Sequence, residues 1–292
     1  MIAPASLQRL VILGQRGFIG SALARHARAA GASVVGYSSV DLDLRDQAAL
    51  AQLDETLTPE SVLFVPAALT PDRGAGLDTL QANLAMSLNL SRYLETHPVR
   101  QCVYFSSDAV YPMLSEPIDE DSPVEPSSLY ALAKYAGERM LYRAAETSGS
   151  ALLVLRSTAI YGPGDTHASY GPNRFVRSAV AERSVRLFGA GEEQRDHLFI
   201  DDLVRAAWAL AAAAPRTETL NLASGTSRSF ASIVDDVRSL APFPITVSNT
   251  PRQSPITHRH FDITRLRTAL PDFEFTPFRA GLTRTLDAAL AG

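Results

Sequence analysis

The chain has 292 residues, of which 46% are hydrophobic and 20% charged, and its formal net charge is −4. These values are typical of a globular protein with one large domain or two closely packed ones. The negative charge argues against a nucleic acid or an anionic membrane as the main partner. The longest apolar run, residues 206–214, is too short to span a bilayer, and the chain enters its first strand without a basic and apolar leader. We therefore expect a cytoplasmic location.

Cysteine and histidine residues show no metal-binding pattern. The single cysteine, Cys102, lies in an apolar strand and has no partner for an internal disulfide, so it is predicted to be a small core residue. His258 and His260 are two residues apart, which indicates a solvated stretch rather than a zinc site. We predict no bound metal.

A glycine-rich segment joins the first strand to the first helix. The apolar residues 10–13 lead into Gly14-Gln-Arg-Gly-Phe-Ile-Gly20, and a helical segment follows. In this context the glycines allow the backbone to approach a pyrophosphate, and the helix N-terminus offers free N–H groups and a positive dipole end. The segment therefore predicts a dinucleotide site built by Gly14, Arg16, Gly17, Phe18, Ile19 and Gly20.

The residues after the second strand bear on the choice between NAD and NADP. An NAD enzyme usually has an acidic residue there that binds the ribose hydroxyls. This chain has Ser38 and Ser39 after the strand 33–37, and Arg16 in the glycine loop is available for a 2′-phosphate. Asp41, about twenty residues after Gly20, is an alternative candidate for the acid. The sequence favours NADP, with NAD as the alternative.

Strands alternate with helices through the first half of the chain. Further strands are predicted at 40–44, 61–65, 102–105 and 152–156, and helices at 46–53 and 80–94, the second capped by Asp78 or Thr79. The alternation predicts an α/β fold, a Rossmann doubly wound parallel sheet with its ligands at the carboxyl ends of the strands. Ser107 lies at such an end. Ala67 and Ala68 lie at another, where small residues let the chain pass under a cofactor.

The alternation weakens after the sixth strand. Helices are predicted at 174–182, 201–213 and 229–240, with a strand at 219–222. We therefore expect a dinucleotide-binding Rossmann domain of residues 1–160 and about 197–225. A smaller, mixed C-terminal substrate-binding domain would comprise residues 161–196 and 226–292.

Lys134 is the only lysine among 27 basic residues. It lies four residues after Tyr130 in a predicted helix with Ser127 or Ser128 as N-cap, so the phenol and the ammonium share one face. A nearby positive charge favours the phenolate, and lowering a tyrosine pKa from about 10 to about 7 takes roughly 4 kcal/mol. Arginine is a poor substitute for that point charge. The pair predicts a tyrosine acid/base with a lowered pKa, whereas a half-buried tyrosine beside a surface lysine is the alternative.

Five motifs follow one another along the chain. They are Gly14-x-x-Gly17-x-x-Gly20, Ser106-Ser107-x-x-Val110-Tyr111, Tyr130-x-x-x-Lys134, Arg156 through Tyr161-Gly162-Pro163-Gly164, and Arg195-Asp196-x-x-x-Ile200-Asp201-Asp202. In order and approximate spacing they resemble the extended short-chain dehydrogenase/reductase family, in particular its nucleotide-sugar epimerases, dehydratases and reductases. The resemblance covers nearly the whole chain. It implies a homodimer through the helices at 80–94 and 130–145.

The resemblance also implies roles for individual residues. Tyr130 would be the acid/base, Lys134 would lower its pKa and hold the nicotinamide ribose, and Ser107 would bind the reacting oxygen. The implied cofactor residues are Gly14, Arg16, Gly17, Phe18, Ile19, Gly20, Ser38, Ser39, Asp43, Leu44, Ala67, Ala68, Asn83, Tyr130 and Lys134, with Asp43 and Leu44 at the adenine. The implied substrate residues are Ser107, Asp108, Asn173 and Arg195, with Arg195 at a phosphate.

The implied chemistry is hydride exchange between nicotinamide and a sugar carbon. Family dehydratases carry an Asp-Glu pair after the Ser/Thr, and here Ala109 follows Asp108, so the base for elimination is missing. Many epimerases have an Asn where this chain has Ala159. The motifs are similar to those of GDP-fucose synthase and dTDP-4-dehydrorhamnose reductase types, which favours a 4-keto sugar reductase. A 4-epimerase with tightly held NAD and a reductase of a non-nucleotide carbonyl compound are the alternatives. A catalytically idle relative is disfavoured by the intact Ser107, Tyr130 and Lys134.

Overall fold

The computed structural model describes Leu7 and residues 9–114, 116–165, 167, 171–253 and 255–292. The strands are β1 (Arg9–Leu13), β2 (Ser33–Tyr37), β3 (Val62–Val65), β4 (Gln101–Ser107), β5 (Ala151–Ser157), β6 (Ala159–Tyr161), β7 (Ser184–Phe188), β8 (Gln194–Phe199), β9 (Glu218–Leu222), β10 (Ser227–Ser229) and β11 (Thr246–Thr250). The α-helices are α1 (Phe18–Ala29), α2 (Leu77–Thr96), α3 (Leu129–Ser148), α4 (Pro172–Glu182), α5 (Ile200–Ala212), α6 (Phe230–Leu240), α7 (Thr264–Ala269) and α8 (Phe278–Ala291). Three further short helices, Ala48–Glu55, Pro71–Arg73 and Asp108–Val110, are 3₁₀.

A parallel sheet lies at the centre, in the order β2-β1-β3-β4-β5-β9. Alternate residues of each strand point to opposite faces. Leu10 and Ile12 of β1 pack into the cluster that contains α1 and α5, whereas Val11 and Leu13 pack into the cluster that contains α2 and α3. The predicted Rossmann-type α/β fold is confirmed. Cys102 is buried in the second cluster, as expected.

Several predictions for the segments that connect the strands differ from the structure. Residues 40–44 form no strand because a turn replaces it, in which the Ser38 carbonyl accepts the N–H groups of Asp41 (3.0 Å) and Leu42 (2.9 Å). The helix predicted at 46–53 is 3₁₀. Helix α2 begins before Asp78 and Thr79, with Gly76 as an N-cap that forms no side-chain hydrogen bond, so the predicted cap is wrong.

The C-terminal part has a hydrophobic cluster of its own. It is built by α4, β7, α6 and α8, with Phe175, Val185, Ile233 and Leu282 buried at its centre. Two small sheets accompany it, β10-β8-β6 and β11-β7. A separate cluster is what a substrate-binding domain of residues 161–196 and 226–292 requires, and the division remains a prediction. Across the described ranges, no helix combines the length and the apolar character needed to span a membrane.

Candidate active site

A cavity of about 1230 Å³ runs along the carboxyl ends of the central strands. Most of the predicted site residues line it: Gly14, Arg16, Gly17, Phe18, Ile19, Gly20, Ser38, Ser39, Asp43, Leu44, Ala67, Ala68, Ser107, Asp108, Tyr130, Lys134 and Arg195. Asn83 and Asn173 are not part of the wall. Residues 157–160 of the fourth motif also line it, so the chain brings residues from all five motifs to one cavity.

The glycine loop forms one end of the cavity. A side chain at Gly14 would place its Cβ 3.0 Å from the Ala67 backbone, and one at Gly20 would be 2.1 Å from the Gly14 carbonyl oxygen. Gly17 is the N-cap of α1 and provides no side-chain hydrogen bond, so the first N–H groups of the helix remain available on the cavity side. A close backbone approach and a free helix N-terminus together fit the pyrophosphate of a dinucleotide.

The end of β2 carries the groups that bear on the cofactor's 2′ position. Asp41, the alternative acid, does not line the cavity. Its carboxylate accepts the Ser38 N–H (2.9 Å) and the Ser38 hydroxyl (2.6 Å), and these bonds hold the Asp41 pKa below its usual range. Arg16 lines the cavity and forms no hydrogen bond or salt bridge within the described ranges. A cation is therefore available at this place, and the carboxylate is occupied by its own turn.

Asn83 lies behind the cavity wall. Its side chain accepts the Leu69 N–H (2.8 Å) and donates to the Leu69 carbonyl (2.9 Å). Because Ala67 and Ala68 belong to the same segment, Asn83 holds the part of the wall that faces the glycine loop. It acts through this loop, and a direct contact with a cofactor remains a prediction.

Tyr130 and Lys134 both line the cavity from the first turns of α3. Ser128 is the N-cap, as predicted, and its hydroxyl accepts the Ala131 N–H at 3.1 Å. Lys134 is only 3% exposed, and its Nζ lies 4.3 Å from the centre of the Tyr104 ring. The solvated surface lysine of the alternative reading is therefore excluded.

The protonation of this pair differs from the sequence-based expectation. Burial raises the pKa of Tyr130 to about 12, with the charges of Asp108 and Asp72 adding to the effect. Burial lowers the pKa of Lys134 to about 7, against the opposing effect of Glu138. In the protein chain itself, desolvation of the two groups outweighs any attraction between phenolate and ammonium. The phenol is therefore protonated at neutral pH.

A buried ion pair links this part of α3 to the central sheet. The Arg156 guanidinium donates to both carboxylate oxygens of Glu138 (3.0 and 2.7 Å), and Ser106 donates to the same carboxylate. Arg156 also donates to the Tyr111 hydroxyl at 2.9 Å, which donates to Asn221 at 2.8 Å. The network joins β4, α3, β5 and β9. Glu138 had no role predicted from the sequence, although its place four residues after Lys134 on the same helix face was a signal.

Ser107 and Asp108 lie at the end of β4. The Ser107 hydroxyl accepts the Ala109 N–H at 3.1 Å and lies 3.4 Å from Asp108 Oδ1. Burial raises the pKa of Asp108, against the opposing charge of Arg259. The Arg259 Nη2 donates to the Asp108 carbonyl at 2.5 Å, and its Nε lies 3.3 Å from Asp108 Oδ2. Arg259 is thus a buried cavity residue, contrary to the solvated stretch predicted around it.

Arg195 lines the far end of the cavity but is held by the protein. Its Nη1 donates to the carbonyls of Gln194 (2.8 Å) and Thr257 (2.6 Å), and its Nη2 donates to the Thr257 hydroxyl (3.0 Å) and to the Glu193 carboxylate. Both terminal nitrogens are therefore engaged. A phosphate at Arg195 would bind through the remaining Nε–H or displace a protein acceptor.

Asn173 clamps a turn beside the cavity. Its Oδ1 accepts the Gly162 N–H at 3.1 Å, and its Nδ2 donates to Asp165. Gly162 has a positive φ of 146°, so the turn needs glycine there. The described geometry gives Asn173 a part in fixing the turn, and its substrate contact remains a prediction.

Comparison with known proteins is consistent with this geometry. The sequence model of the "NAD dependent epimerase/dehydratase family" matches residues 10–223. The chain belongs to the NAD dependent epimerase/dehydratase family. It is therefore an NAD(P)-dependent enzyme of the group that comprises nucleotide-sugar epimerases, dehydratases and reductases.

Individual relatives within the family differ in activity. The chain is 27% identical to a probable GDP-L-fucose synthase 1 of Oryza sativa over 80% of this chain and 77% of the relative. It is 26% identical to a UDP-glucose 4-epimerase of Mycolicibacterium smegmatis over 96% and 97% of the two chains.

The fold is shared with solved family structures. A Thermus thermophilus UDP-glucose 4-epimerase in complex with NAD superposes with a TM-score of 0.84 at 22% identity, over 97% of this chain and 99% of the other. The RMD protein of Pseudomonas aeruginosa in complex with NADPH superposes with a TM-score of 0.86 at 23% identity, over the same two shares. Proteins with this fold therefore include one that binds NAD and one that binds NADPH.

Proposed function

We propose that this protein is an NADPH-dependent reductase of a keto group on a nucleotide sugar, with Tyr130 as the general acid. The observation that carries the proposal is the convergence of Ser107, Tyr130 and Lys134 on the cavity that the glycine loop closes. Ala109 supports reduction over elimination, because no second acidic residue follows Asp108. The family includes proteins named GDP-L-fucose synthase, which supports a nucleotide-sugar substrate.

The protonation of Tyr130 supports the reductive direction. When bound, NADPH would supply a hydride to the carbonyl carbon, and the carbonyl oxygen would then require a proton. A phenol with a pKa of about 12 is protonated at neutral pH and can donate that proton. Ser107 provides a second hydroxyl on the same cavity wall to hold the oxygen.

Turnover with stoichiometric analysis tests the proposal. The purified protein is mixed with NADPH and with 4-keto-6-deoxy sugars carried on UDP, GDP or dTDP, and both the NADPH absorbance and the product are measured. A reductase consumes one NADPH for each product molecule that it forms. Conversion of a UDP-, GDP- or dTDP-hexose that has a C4 hydroxyl into its C4 epimer, with bound NAD and no net change of cofactor, would instead establish the 4-epimerase alternative.

One observation favours a second candidate, a reductase of a non-nucleotide carbonyl compound. Arg252 donates to Glu193 at 3.0 Å, and Arg195 binds the other oxygen of the same carboxylate. Glu193 thereby offsets positive charge where the substrate diphosphate is expected. If no UDP-, GDP- or dTDP-sugar raises the melting temperature of the cofactor-loaded protein, this second candidate replaces the first.

Arg16→Ala is expected to raise the KM for NADPH about tenfold and to leave the KM for NADH unchanged. The reason is that a 2′-phosphate, which NADH lacks, loses one charge-assisted hydrogen bond. Steady-state kinetics with both cofactors measure the difference. Arg25→Ala, an exposed arginine of α1 outside the cavity, is the control. Equal changes for the two cofactors would contradict the assignment of NADP.

A homodimer through α2 and α3 is also proposed. Leu88 on α2 and Leu132 on α3 are 39% and 45% exposed on two helices that pack together, so both apolar side chains are available to a second chain. We expect light scattering to give the mass of two chains. The double variant Leu88→Arg and Leu132→Arg is expected to give one chain, and Leu290→Arg on α8, where the leucine is 42% exposed, is the control.

A further inference from the structure

His197 is a buried cavity residue to which sequence analysis gave no role. It lies in β8, pairs with Ala159 of β6, and is 5% exposed. Its side chain is part of the wall of the same cavity that Ser107 and Tyr130 line. Neither ring nitrogen has a hydrogen-bond partner among the described residues. A buried polar group without a partner is rare in native proteins, and at a cavity wall a ligand is its natural partner.

Two strand pairings, one in each of two sheets, connect the end of β4 that carries Ser107 with His197. Ser107 of β4 lies opposite Ser157 of β5, and two residues further along the chain Ala159 lies opposite His197. Thr158 and Ala159, between these points, also line the cavity. The wall is therefore continuous from Ser107 to His197.

The imidazole is neutral at physiological pH. Burial lowers the pKa of His197 to about 3, the charge of Arg195 acts in the same direction, and the nearby Arg195 backbone acts in the opposite direction. A neutral imidazole has one N–H donor and one acceptor nitrogen, which suits a neutral group that both accepts and donates. It does not suit a phosphate, which prefers a cation or several donors.

The space around the ring is restricted. The Phe230 ring packs against it with the two ring centres 6.0 Å apart. Gly171 also lies close to the ring: it has a φ of 154°, and a Cβ there would lie 3.1 Å from His197 Nε2. The imidazole is thus held at one place in the wall, and this fixed position makes it a suitable element for discriminating between ligands.

We propose that His197 determines specificity by binding a neutral donor-and-acceptor group of the substrate, either a sugar hydroxyl or the amide edge of the base. The inference rests on the proposed function, because it takes the ligand to be a nucleotide sugar. It adds the chemical character of the substrate group that the protein recognises. It assigns recognition of that group to His197 and not to Arg195.

Binding measurements on cofactor-loaded protein test the inference. Wild type, His197→Phe and His197→Gln are titrated calorimetrically with UDP-glucose, GDP-mannose and dTDP-glucose and with the free nucleotides UDP, GDP and dTDP. His197→Phe is expected to weaken the best wild-type ligand about 10- to 100-fold, as the loss of one or two hydrogen bonds does. His197→Gln, which keeps a donor and an acceptor, is expected to lose less. NADPH affinity and the melting temperature of both variants should stay at the wild-type values.

The free nucleotides identify the recognised group. If His197→Phe weakens the free nucleotide as much as the sugar nucleotide, the group is the base, and if only the sugar nucleotide is weakened, the group is a sugar hydroxyl. His97→Phe, a histidine on the protein surface outside the cavity, is the matched control. Equal binding by wild type and His197→Phe would overturn the role of His197 alone. Absence of wild-type binding to every probe would overturn the proposed function, and the inference with it.

Discussion

Tyr130→Phe is expected to lower kcat by at least about 100-fold while leaving the affinity for NADPH nearly unchanged. The substitution removes one hydroxyl from the cavity wall and with it the only proton donor that we assign to the reacting oxygen. General acid catalysis typically contributes about 10²- to 10⁴-fold. Single-turnover measurements with NADPH and the ketone substrate, together with cofactor titration, separate the chemical step from binding.

Tyr135→Phe is the matched control for this experiment. Tyr135 lies on the same helix, five residues later, but does not line the cavity and packs instead against a small cluster around Tyr111 and Ile118. Its kcat should equal that of wild type. If Tyr130→Phe retained more than about a hundredth of the activity, the proton would come from another group, and the assignment of Tyr130 would be wrong.

The pH profile of the same reaction distinguishes two views of the phenol. As a general acid, Tyr130 must be protonated, so the rate is lost as pH rises through its pKa. The structure places that pKa at about 12, whereas the pairing of Tyr130 with Lys134 in the sequence predicted about 7. Because kcat/KM reports the free enzyme, titration of Tyr130 should cause no loss of rate through neutral and mildly alkaline pH. A loss near pH 7 that disappears in Lys134→Met belongs to Lys134, whose pKa is about 7.

Arg156→Met is expected to lower the free energy of unfolding by about 3–5 kcal/mol. The two groups of the ion pair are almost fully buried, with 7% of the Arg156 side chain and 1% of the Glu138 side chain exposed. Removing the guanidinium leaves the Glu138 carboxylate with Ser106 as its remaining described partner, and a buried charge without its counterion is costly. Urea unfolding without cofactor measures the loss.

Two further variants test the cause of this loss. Arg143→Met removes the arginine of an exposed pair with Glu146, whose side chains are 70% and 74% exposed, and should cost less than about 1 kcal/mol. Combining Arg156→Met with Glu138→Leu replaces both charges by apolar groups and should recover much of the stability. Equal losses for Arg156→Met and Arg143→Met would show that the buried pair contributes no more than a surface pair.

The fold could be predicted from the sequence because its determinants are local. The apolar strands, the Gly14–Gly20 segment and the alternation with helices each lie within a few consecutive residues. The strand predicted at 40–44 failed because its apolar alternation competes with a stronger local feature, the hydrogen bonds between Asp41 and Ser38. The polar hydrogen bonds of this turn therefore determined the local structure, and the two-residue apolar alternation did not.

The missed parts of the site depend on contacts between distant segments. Arg259 reaches Asp108 across 151 positions of sequence, and His197 acquires its position from β6 and from Gly171. The protonation of Tyr130 also depends on burial, which no sequence motif measures. The placement of Tyr130 and Lys134 in one cavity was thus predictable, whereas their electrostatic state and the far wall of the cavity required the folded chain.

The single lysine of this enzyme provides one defined site for chemical modification. A deprotonated amine is the nucleophilic form, and Lys134 has a pKa of about 7, so a substantial fraction of its amine is uncharged at neutral pH. Every other side-chain cation of the chain is an arginine or a histidine. A small acylating reagent that enters the cavity can therefore modify only one lysine, Lys134. The extent to which Lys134 is modified shows whether a ligand occupies the cavity.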